Sequence, residues 1–180
     1  MRLFIAVNFS DAVKVEISNI INKLRPELQT AHFTDVNNIH LTVVFVGETD
    51  RTKEIKEVLD SLTNTGFNLS INSLGSFKRD KGSIIWLGVK PDNNLNNLYN
   101  VIYHKLKEKG FLPEDRRYTP HITIARNAVF KDDKNIDNYK YGLNINNYVG
   151  SVSLMKSERI NGKLIYTEIH KKELGGENEC

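Results

Sequence analysis

Two short segments of the sequence repeat a histidine and a threonine at the same spacing. The first, His40–Val43, reads His-Leu-Thr-Val, and the second, His121–Ile124, reads His-Ile-Thr-Ile. Side chains alternate between the two faces of a β-strand, so each segment presents an imidazole beside a hydroxyl on one face and two apolar residues on the other. One such segment is ordinary in a strand, whereas a matched pair indicates a shared chemical role.

The chemistry that fits this pair is general acid–base catalysis at phosphorus. Opening a cyclic phosphodiester requires the attacking water to lose a proton and the departing ribose oxygen to gain one. Histidine titrates near neutral pH, so one imidazole can accept a proton while the other donates. The hydroxyls of Thr42 and Thr123 can donate hydrogen bonds to the non-bridging phosphate oxygens.

Other chemistries fit the sequence less well. Neither segment has an acidic or cysteine residue at a matching place, and threonine is a poor ligand for the metals that histidine prefers. The sequence contains no Gly-x-Ser-x-Gly motif, and its single cysteine is Cys180. We therefore expect no metal and no cofactor.

Hydrophobic periodicity predicts the elements that position the two segments. Helices are predicted after the capping residues Ser10 and Asp50 and from about Asp92, and the apolar spacing of the first helix extends to Leu28. Strands are predicted over 2–8, 39–46, 67–77, 83–90, 121–126 and 163–170, with further strand signals over 143–157. The polar stretch 131–138 is predicted to be a loop or a short helix.

The strands cluster in runs, which favours an α+β fold over a doubly wound one. The two motifs lie nearly half the chain apart, which suggests an internal duplication. We expect two pseudo-symmetric lobes, each with a mostly antiparallel sheet and outer helices, and an active-site cleft between them. Residues 1–174 are predicted to form one bilobal domain, and residues 175–180 a disordered tail.

Composition limits the classes of partner. The chain has 180 residues, 39% of them hydrophobic, and a net charge of +3. This mild positive charge permits an anionic ligand, but the basic residues are too interspersed to predict a duplex-binding surface. No apolar run approaches the ~20 residues of a membrane span. The expectation is a cytoplasmic monomer that does not bind membranes.

The motifs also resemble those of a known family, the 2H phosphoesterases, and within it the RNA 2′,3′-cyclic phosphodiesterases, also called 2′-5′ RNA ligases. The resemblance runs from Arg2 to about Ile169. It is carried by the segments 2–7, 38–48, 85–89, 117–126 and 152–157, and by Gly162 and Tyr166 near the end.

The resemblance implies roles for individual residues. His40 would be the proton donor to the leaving 3′ oxygen, and His121 would accept a proton from water. The product would be a 2′-phosphate. Thr42, Thr123 and Arg126 would bind the phosphate, although strand alternation places Arg126 on the face away from His121 unless the strand ends or bulges there.

Several residues near the motifs are candidates for contact with the substrate. Phe45 is predicted to be a core residue, with stacking on a base as the alternative, and Trp86 is predicted to be core. Arg117 and Tyr118 precede the second motif and are candidate RNA contacts. The Pro-Arg that often precedes the tryptophan strand in this family appears here as Gly82-Ser83.

The expected substrate is RNA, or a nucleotide, with a 2′,3′-cyclic phosphate end, tRNA fragments included, and the reverse reaction would be 2′-5′ RNA ligation. Two alternatives stay open. One is a phosphodiesterase for 2′-5′ oligonucleotides or other cyclic nucleotides. The other is a non-catalytic module that binds RNA ends, which would not need an acid–base pair.

Overall fold

The computed structural model of the protein describes residues 1–111, 117–132, 134–139 and 141–176. Within these ranges the strands are β1 (Arg2–Asn8), β2 (Leu28–Phe33), β3 (His40–Glu48), β4 (Phe67–Phe77), β5 (Ser83–Val89), β6 (His121–Phe130), β7 (Ile145–Val149), β8 (Ser151–Ile160) and β9 (Lys163–Glu173). The helices are α1 (Asp11–Leu24), α2 (Thr52–Asp60) and α3 (Asn93–Glu108). Short 3-10 segments span Arg25–Glu27, Val36–Asn38 and Ile136–Asn138.

The strands form two antiparallel sheets. The first has four strands in the order β3-β1-β8-β9, and the second has five in the order β2-β6-β5-β4-β7. The predicted α+β class is confirmed. One histidine motif opens a strand in each sheet, because His40 is the first residue of β3 and His121 is the first residue of β6.

The two sheets are not built from successive halves of the chain. β1 and β3 share a sheet with β8 and β9, whereas β4 and β5, which follow the first motif, belong to the second sheet. The repeated elements are instead a strand, a helix and the motif strand. They are β1, α1 and β3 in one copy, with β2 inserted between α1 and β3, and β5, α3 and β6 in the other. In each copy the strand before the helix pairs antiparallel with the motif strand, so that Asn8 lies opposite His40 and Gly88 lies opposite His121.

Both motif strands carry an irregularity at the same distance from the histidine. In β3, Val43 is skipped in the register, because Thr42 pairs with Ala6 while Val44 pairs with the adjacent Ile5. In β6, Ile124 is skipped in the same way. Such a bulge breaks the alternation of side chains. Its consequence is that the fifth residue after each histidine returns to the histidine's face of the sheet.

Two of the predicted helix starts are confirmed by their caps. The Ser10 hydroxyl accepts a hydrogen bond from the backbone N–H of Val13, 3.4 Å away, at the start of α1. The Asp92 carboxylate accepts one from the N–H of Leu95, 2.9 Å away, at the start of α3. These side chains satisfy backbone donors that the first turn of a helix leaves without partners.

The predicted cap of α2 is wrong. The residue flanking the helix is Arg51, which makes no side-chain cap. Asp50 contributes only its backbone carbonyl, which accepts a hydrogen bond from the N–H of Thr52 at 2.8 Å. The hydroxyl of Thr49 instead accepts the N–H of Arg51 at 3.1 Å. Thr49 and Asp50 are adjacent, and either side chain could accept a hydrogen bond from the N–H groups at the start of this helix. The sequence alone does not show which one does.

The helical prediction that extended to Leu28 is also wrong, because Leu28 begins β2. Pro26 lies in the 3-10 turn between α1 and β2. Arg25 still has α-helical backbone angles and donates its N–H to the carbonyl of Ile21. Pro26 has no backbone N–H with which to continue this ladder, so the helix ends there. Strand β2 pairs with β6, with His32 opposite Arg126. The second motif strand therefore has partners on both sides.

One main apolar core joins both sheets and the three helices. A second, small cluster consists of Phe4, Ala6 and Met155, with Phe45 and Tyr166 packed against it. Phe4 and Tyr166 also contact the ring of His40, so this cluster lies on the face of the first sheet that carries the first motif. One face of the first sheet therefore packs into the main core, and the other carries the small cluster and His40.

The end of the described chain is partly held. The N–H of Gly175 donates to the carbonyl of Asn64 at 3.0 Å, and the Gly175 carbonyl accepts the N–H of Gly66 at 2.7 Å. The predicted tail is therefore bonded at its first residue, and residues 177–180 lie outside the described part. Among the described residues, no helix combines the length and the apolar character needed to cross a bilayer.

Candidate active site

The His40 ring is fixed at both nitrogens. Its Nδ1 lies 2.7 Å from the backbone carbonyl oxygen of Asn38, and its Nε2 lies 3.0 Å from the hydroxyl of Thr42. A carbonyl only accepts, so Nδ1 carries the hydrogen. In the neutral ring Nε2 then accepts the Thr42 hydroxyl proton, and in the protonated ring Nε2 becomes a donor. The nitrogen beside Thr42 is the one whose proton can be exchanged.

Asn38 holds this arrangement from the side. Its side-chain amide donates to the carbonyl of Leu164 at 2.8 Å, and its amide oxygen accepts the backbone N–H of Tyr166 at 3.3 Å. The Tyr166 ring meets the His40 ring edge-on at 5.1 Å between centroids. Asn38 therefore positions both the imidazole and the aromatic ring packed on it. This role of Asn38 was not predicted from the sequence, where its position two residues before His40 was the only indication of it.

The His121 ring is held in a matching way. Its Nδ1 lies 2.7 Å from the backbone carbonyl oxygen of Thr119, again two residues earlier in the chain. The Phe77 ring meets the imidazole edge-on at 5.2 Å, and the Trp86 ring lies 6.4 Å away. The same contact thus fixes the same tautomer in both motifs, which leaves Nε2 of His121 as the exchangeable nitrogen.

The backbone carbonyls of the two motif threonines each accept a hydroxyl. Tyr118 donates to the carbonyl of Thr42 at 3.3 Å, and Thr34 donates to the carbonyl of Thr123 at 2.9 Å. The N–H of Thr34 also donates to the carbonyl of Ile124 at 2.9 Å. These bonds secure the backbone where each bulge begins, and neither Thr34 nor this role of Tyr118 was predicted from the sequence.

The surroundings of His40 change the pKa of its imidazole. Burial lowers the pKa of His40 below its usual value, and the hydrogen bond to the Asn38 carbonyl opposes this by raising it. The charges of Arg126 and His121 lower the pKa of His40 further. The strands that carry the two motifs, β3 and β6, also contact each other. The lowered pKa favours a neutral His40 in the free protein.

The bulges explain where Arg126 and Phe45 lie. The bulge in β6 and the exposure of Arg126 agree with a position on the face that carries His121, and its charge lowers the pKa of His40. Its binding of phosphate stays a prediction. Phe45 belongs to the small cluster on the site face, with the Arg2 guanidinium 5.1 Å from its ring centroid. Phe45 is thus half-buried against the small cluster rather than in the main core, and stacking on a base stays a prediction.

The two residues before the second motif have different surroundings. Arg117 is exposed. The Tyr118 ring stacks on Tyr99 with centroids 4.2 Å apart and planes inclined by 2°. Burial, followed by the nearby Tyr99, raises the pKa of Tyr118 well above its usual value, so its hydroxyl keeps its proton. That proton is available for the hydrogen bond to Thr42.

Trp86 is not the core residue that the sequence predicted. It is only partly buried, and it lies beside Phe77 at 5.2 Å between ring centroids. A Cβ atom added at Gly75, directly opposite on β4, would lie 2.3 Å from the indole. One added at Gly88 would lie 2.9 Å from it. The indole therefore lies close against the backbone on the face of the second sheet that carries His121.

Across residues 1–111, 117–132, 134–139 and 141–176, no group of three or more histidine, cysteine, aspartate or glutamate side chains is placed to hold a metal ion. The expectation of metal-free chemistry stays a prediction, because it depends on an assay. The groups that the site does offer are two imidazoles, two threonine hydroxyls and a guanidinium.

A histidine and a threonine two residues later lie at the start of a strand in each of two antiparallel sheets, which is the arrangement expected of a two-histidine phosphoesterase. Residues 13–161 match the model of the 2′-5′ RNA ligase superfamily. Because this match covers well over half of the sequence, the chain belongs to that superfamily.

Curated relatives agree with this placement. The RNA 2′,3′-cyclic phosphodiesterase of Thermotoga maritima is 35% identical over 138 residues, which cover 73% of this chain and 73% of the relative. The protein of the same name from Archaeoglobus fulgidus is 33% identical over 130 residues, or 70% of this chain and 72% of the relative.

Solved structures have the same fold. The crystal structure of Escherichia coli LigT with 3′-AMP superimposes with a TM-score of 0.83 at 26% identity, over 96% of this chain and 97% of that one. The structure of TT0787 from Thermus thermophilus also gives a TM-score of 0.83, at 21% identity, over 99% of this chain and 100% of that one. The second comparison concerns the fold alone.

Proposed function

We propose that this protein hydrolyses RNA 2′,3′-cyclic phosphodiester ends to 2′-phosphomonoesters. The observation that carries the proposal is the pair of imidazoles, one from each sheet, held through the same Nδ1–carbonyl contact on two strands, β3 and β6, that contact each other. The names of the relatives support the substrate, because they are RNA 2′,3′-cyclic phosphodiesterases that share about a third of their aligned residues with this chain.

In the proposed reaction the two Nε2 atoms work on opposite sides of phosphorus. His121 Nε2 takes the proton of the attacking water, and His40 Nε2 gives its proton to the departing 3′ oxygen. The fixed Nδ1–H bonds hold each ring so that only Nε2 exchanges protons. A positioned acid or base typically supplies ~10²–10⁴ in rate, so both imidazoles are expected to be essential.

The proton donor must be charged before it can act, and the substrate itself supplies the means. The lowered pKa of His40 arises partly from the charges of Arg126 and His121. A phosphate anion placed among these cations offsets their repulsion and so raises the pKa of His40. Binding of the anionic substrate thus favours the protonated His40 that the leaving group requires.

We propose that Thr42, Thr123 and Arg126 bind the phosphate. In the free protein the Thr42 hydroxyl bonds to His40 Nε2 at 3.0 Å, so it lies beside the proton that is transferred. Arg126 returns to the site face through the bulge in β6. Hydroxyl and guanidinium donors suit the non-bridging oxygens, on which charge accumulates in the transition state.

Three further residues were candidates for contact with RNA. Phe45 lies on the site face and offers a ring for a base. Arg117 is exposed next to the second motif and offers a charge for the RNA backbone. For Tyr118 we propose a positioning role, because its hydroxyl bonds to the Thr42 carbonyl and its ring stacks on Tyr99.

The same site run in reverse would join a 2′,3′-cyclic phosphate end to a 5′-hydroxyl, which gives a 2′-5′ linkage. The superfamily to which the chain belongs takes its name from this ligation. We also propose that the protein acts as a monomer in the cytoplasm, on RNA fragments that include tRNA pieces. Both motifs come from the same chain, which supports the monomer.

The test is hydrolysis of a nucleoside 2′,3′-cyclic phosphate in the presence of EDTA, with the product identified by ³¹P NMR. The proposal predicts turnover and a 2′-phosphate. A 3′-phosphate would contradict the assignment of the leaving oxygen. Activity that EDTA removes and zinc restores would overturn the metal-free mechanism, and RNA binding without turnover would favour a binding module.

A further inference from the structure

The proposed reaction gives the two sides of the phosphorus different neighbours. The nucleoside that carries the cyclic phosphate is attached through its 2′ and 3′ oxygens, so its ribose lies on the side of the leaving oxygen and His40. The attacking group approaches from the opposite side, next to His121. Whatever surrounds His121 therefore surrounds the attacking group, and this step rests on the proposed function.

The surroundings of His121 are aromatic and cationic. The Phe77 ring contacts the imidazole at 5.2 Å and Trp86 at 5.2 Å between centroids. The Arg79 guanidinium lies 6.0 Å from the Phe77 centroid, over its ring, on the hairpin between β4 and β5. An attacking water needs no such surface. Aromatic rings beside a guanidinium are the elements with which proteins bind a nucleotide of a single strand.

The sheet is shaped to accommodate the indole in this place. Gly75 and Gly88 both lie where a Cβ atom would be less than 3 Å from the Trp86 ring. The ring thus occupies space that two neighbouring side chains would otherwise fill, and it remains partly exposed on the site face. A tryptophan that served only the main core would be covered by other side chains of that core, and Trp86 is not part of it.

We propose that Trp86, Phe77 and Arg79 form the subsite for the nucleoside whose 5′-hydroxyl replaces water in the ligation reaction. The rings take the acceptor's first base, and Arg79 takes the phosphate that follows its ribose. The cyclic-phosphate donor occupies the other side, next to Phe45 and the small cluster against which Phe45 packs. The first sheet thereby binds the cyclic-phosphate donor, and the second sheet binds the 5′-hydroxyl acceptor.

The ligation step balances without any further reactant. The acceptor's 5′ oxygen forms a bond to phosphorus as its proton passes to Nε2 of His121. The bond from phosphorus to the 3′ oxygen breaks, and that oxygen takes the proton of His40 Nε2. The product has a 2′-5′ phosphodiester and a free 3′-hydroxyl, and the two imidazoles return to their starting states by exchanging protons with water.

The kinetic test compares a leucine substitution on each side of the site. Phe77→Leu should raise the half-saturating concentration of a 5′-hydroxyl oligonucleotide in ligation by roughly tenfold, which is the range of base–aromatic stacking. It should change the KM for hydrolysis of a nucleoside 2′,3′-cyclic phosphate by less than about threefold. Phe45→Leu should do the converse and raise mainly the KM of the cyclic phosphate.

Arg79→Gln should weaken the acceptor in the same sense as Phe77→Leu, and Lys81→Gln is its matched control, since it removes one charge from the same hairpin. Equal loss of ligation and hydrolysis in Phe77→Leu and Arg79→Gln would overturn the proposal and leave these residues as supports of His121. Hydrolysis without any ligation at high acceptor concentration would overturn it too. Failure of the proposed function is distinguishable, because hydrolysis itself would then be missing.

A binding test needs no turnover, because Trp86 is the single tryptophan of the chain. A dinucleotide with free 5′- and 3′-hydroxyls, titrated into the wild-type protein, should quench the indole fluorescence in a saturable way, and inorganic phosphate alone should not. Arg79→Gln should shift the titration to higher concentration, whereas Lys81→Gln should not. An unchanged indole signal at saturating dinucleotide would contradict the subsite.

Discussion

At the scale of the residue, the backbone rather than a carboxylate fixes the protonation pattern of the site. Both imidazoles donate Nδ1–H to a carbonyl two residues earlier, at 2.7 Å in each case. A neutral carbonyl orients the ring without adding negative charge, so the pKa of His40 stays open to influence by its cationic neighbours. A site built in this way responds strongly to the arrival of an anion.

The influence of Arg126 on His40 can be measured directly. Burial is the largest cause of the lowered His40 pKa, and the Arg126 charge adds to it. Arg126→Gln should therefore raise the pKa of His40 toward 6.5, its ordinary value. The measurement is an NMR titration of the imidazole C–H signals, with Lys53→Gln on the exposed surface of α2 as the charge-matched control. A His40 titration unchanged by Arg126→Gln would place the guanidinium elsewhere.

The same shift has a consequence for stability, with a definite sign. Because the pKa of His40 is lower in the folded chain than its unfolded value of 6.5, the unfolded chain binds more protons below that pH. The contribution of His40 to the free energy of unfolding therefore falls as the pH drops from 6.5 toward the folded pKa. Arg126→Gln should make this dependence shallower in denaturant titrations at pH 5 to 7.

The sequence was informative about some residues and misleading about others. The paired motifs identified the histidines and threonines, because strand alternation holds from His40 to Thr42 and from His121 to Thr123. Beyond the threonine each strand bulges, so alternation no longer predicts which face Phe45 or Arg126 occupies. Trp86 was assigned to the core because its apolar neighbours dominate the pattern, while the two glycines that make room for it give no periodic signal.

At the scale of the element, the end of β2 supports the bulge in β6. Thr34 follows this strand, and it donates both its hydroxyl and its N–H to consecutive carbonyls of β6, those of Thr123 and Ile124. A bulge leaves backbone groups without ladder partners, so an external donor stabilises it. The segment that joins β2 to the first motif strand, β3, therefore supports the bulge in the second motif strand, β6.

Removal of this support should affect catalysis more than stability. Thr34→Val keeps the shape and the backbone N–H but loses the hydroxyl bond, which should cost about 1 kcal/mol of unfolding free energy. Displacement of Thr123 and Arg126 should lower kcat/KM for the cyclic phosphate by roughly tenfold. Thermal unfolding and steady-state kinetics give the two values.

Thr30→Val is the matched control for this substitution, because it makes the same exchange on β2. The Thr30 hydroxyl lies 3.5 Å from the Asn127 carbonyl, a much weaker contact. Thr30→Val should therefore leave kcat/KM for the cyclic phosphate within about twofold of the wild type. A similar loss of activity in both variants would mean that β2 acts through its overall stability rather than through Thr34.

The existence of β2 could not be predicted from local pattern, since half of its six residues are polar and exposed and they do not form a clear apolar face. The strand forms because β6 offers it an edge, and Pro26 prevents α1 from continuing into it. Most other elements were predicted close to their bounds, because their hydrophobic periodicity is strong and their caps, such as Ser10 and Asp92, are local.

At the scale of the whole molecule, the site exists because two sheets with interleaved strands bring their motif strands together. Tyr118 approaches the second motif along the chain, yet it donates its hydroxyl to the carbonyl of Thr42 in the first. This hydrogen bond therefore joins the two motif regions directly. The sequence showed a duplication, but which strands share a sheet depends on long-range pairing that no local pattern reports.

Loss of this bond should loosen the relation between the two imidazoles. Tyr118→Phe keeps the stacking on Tyr99 and removes only the hydroxyl, so the chain should stay folded. We expect kcat for the cyclic phosphate to fall by about three- to tenfold with little change in KM, because the bond aligns the acid with the base. Tyr139→Phe is the control, as it loses a 2.7 Å hydroxyl bond to Glu27 away from the site. Equal kinetics in the two variants would remove Tyr118 from the account.

The most direct test of the central claim is the rate of cyclic phosphate hydrolysis in His40→Ala, His121→Ala and the double variant, measured with EDTA present and with folding verified by circular dichroism. The account predicts a loss of at least ~100-fold in each single variant. The double variant should be little worse than the poorer single one, because both imidazoles act in the same transition state. Near-normal turnover in either single variant, or losses that multiply as though the two rings worked independently, would contradict it.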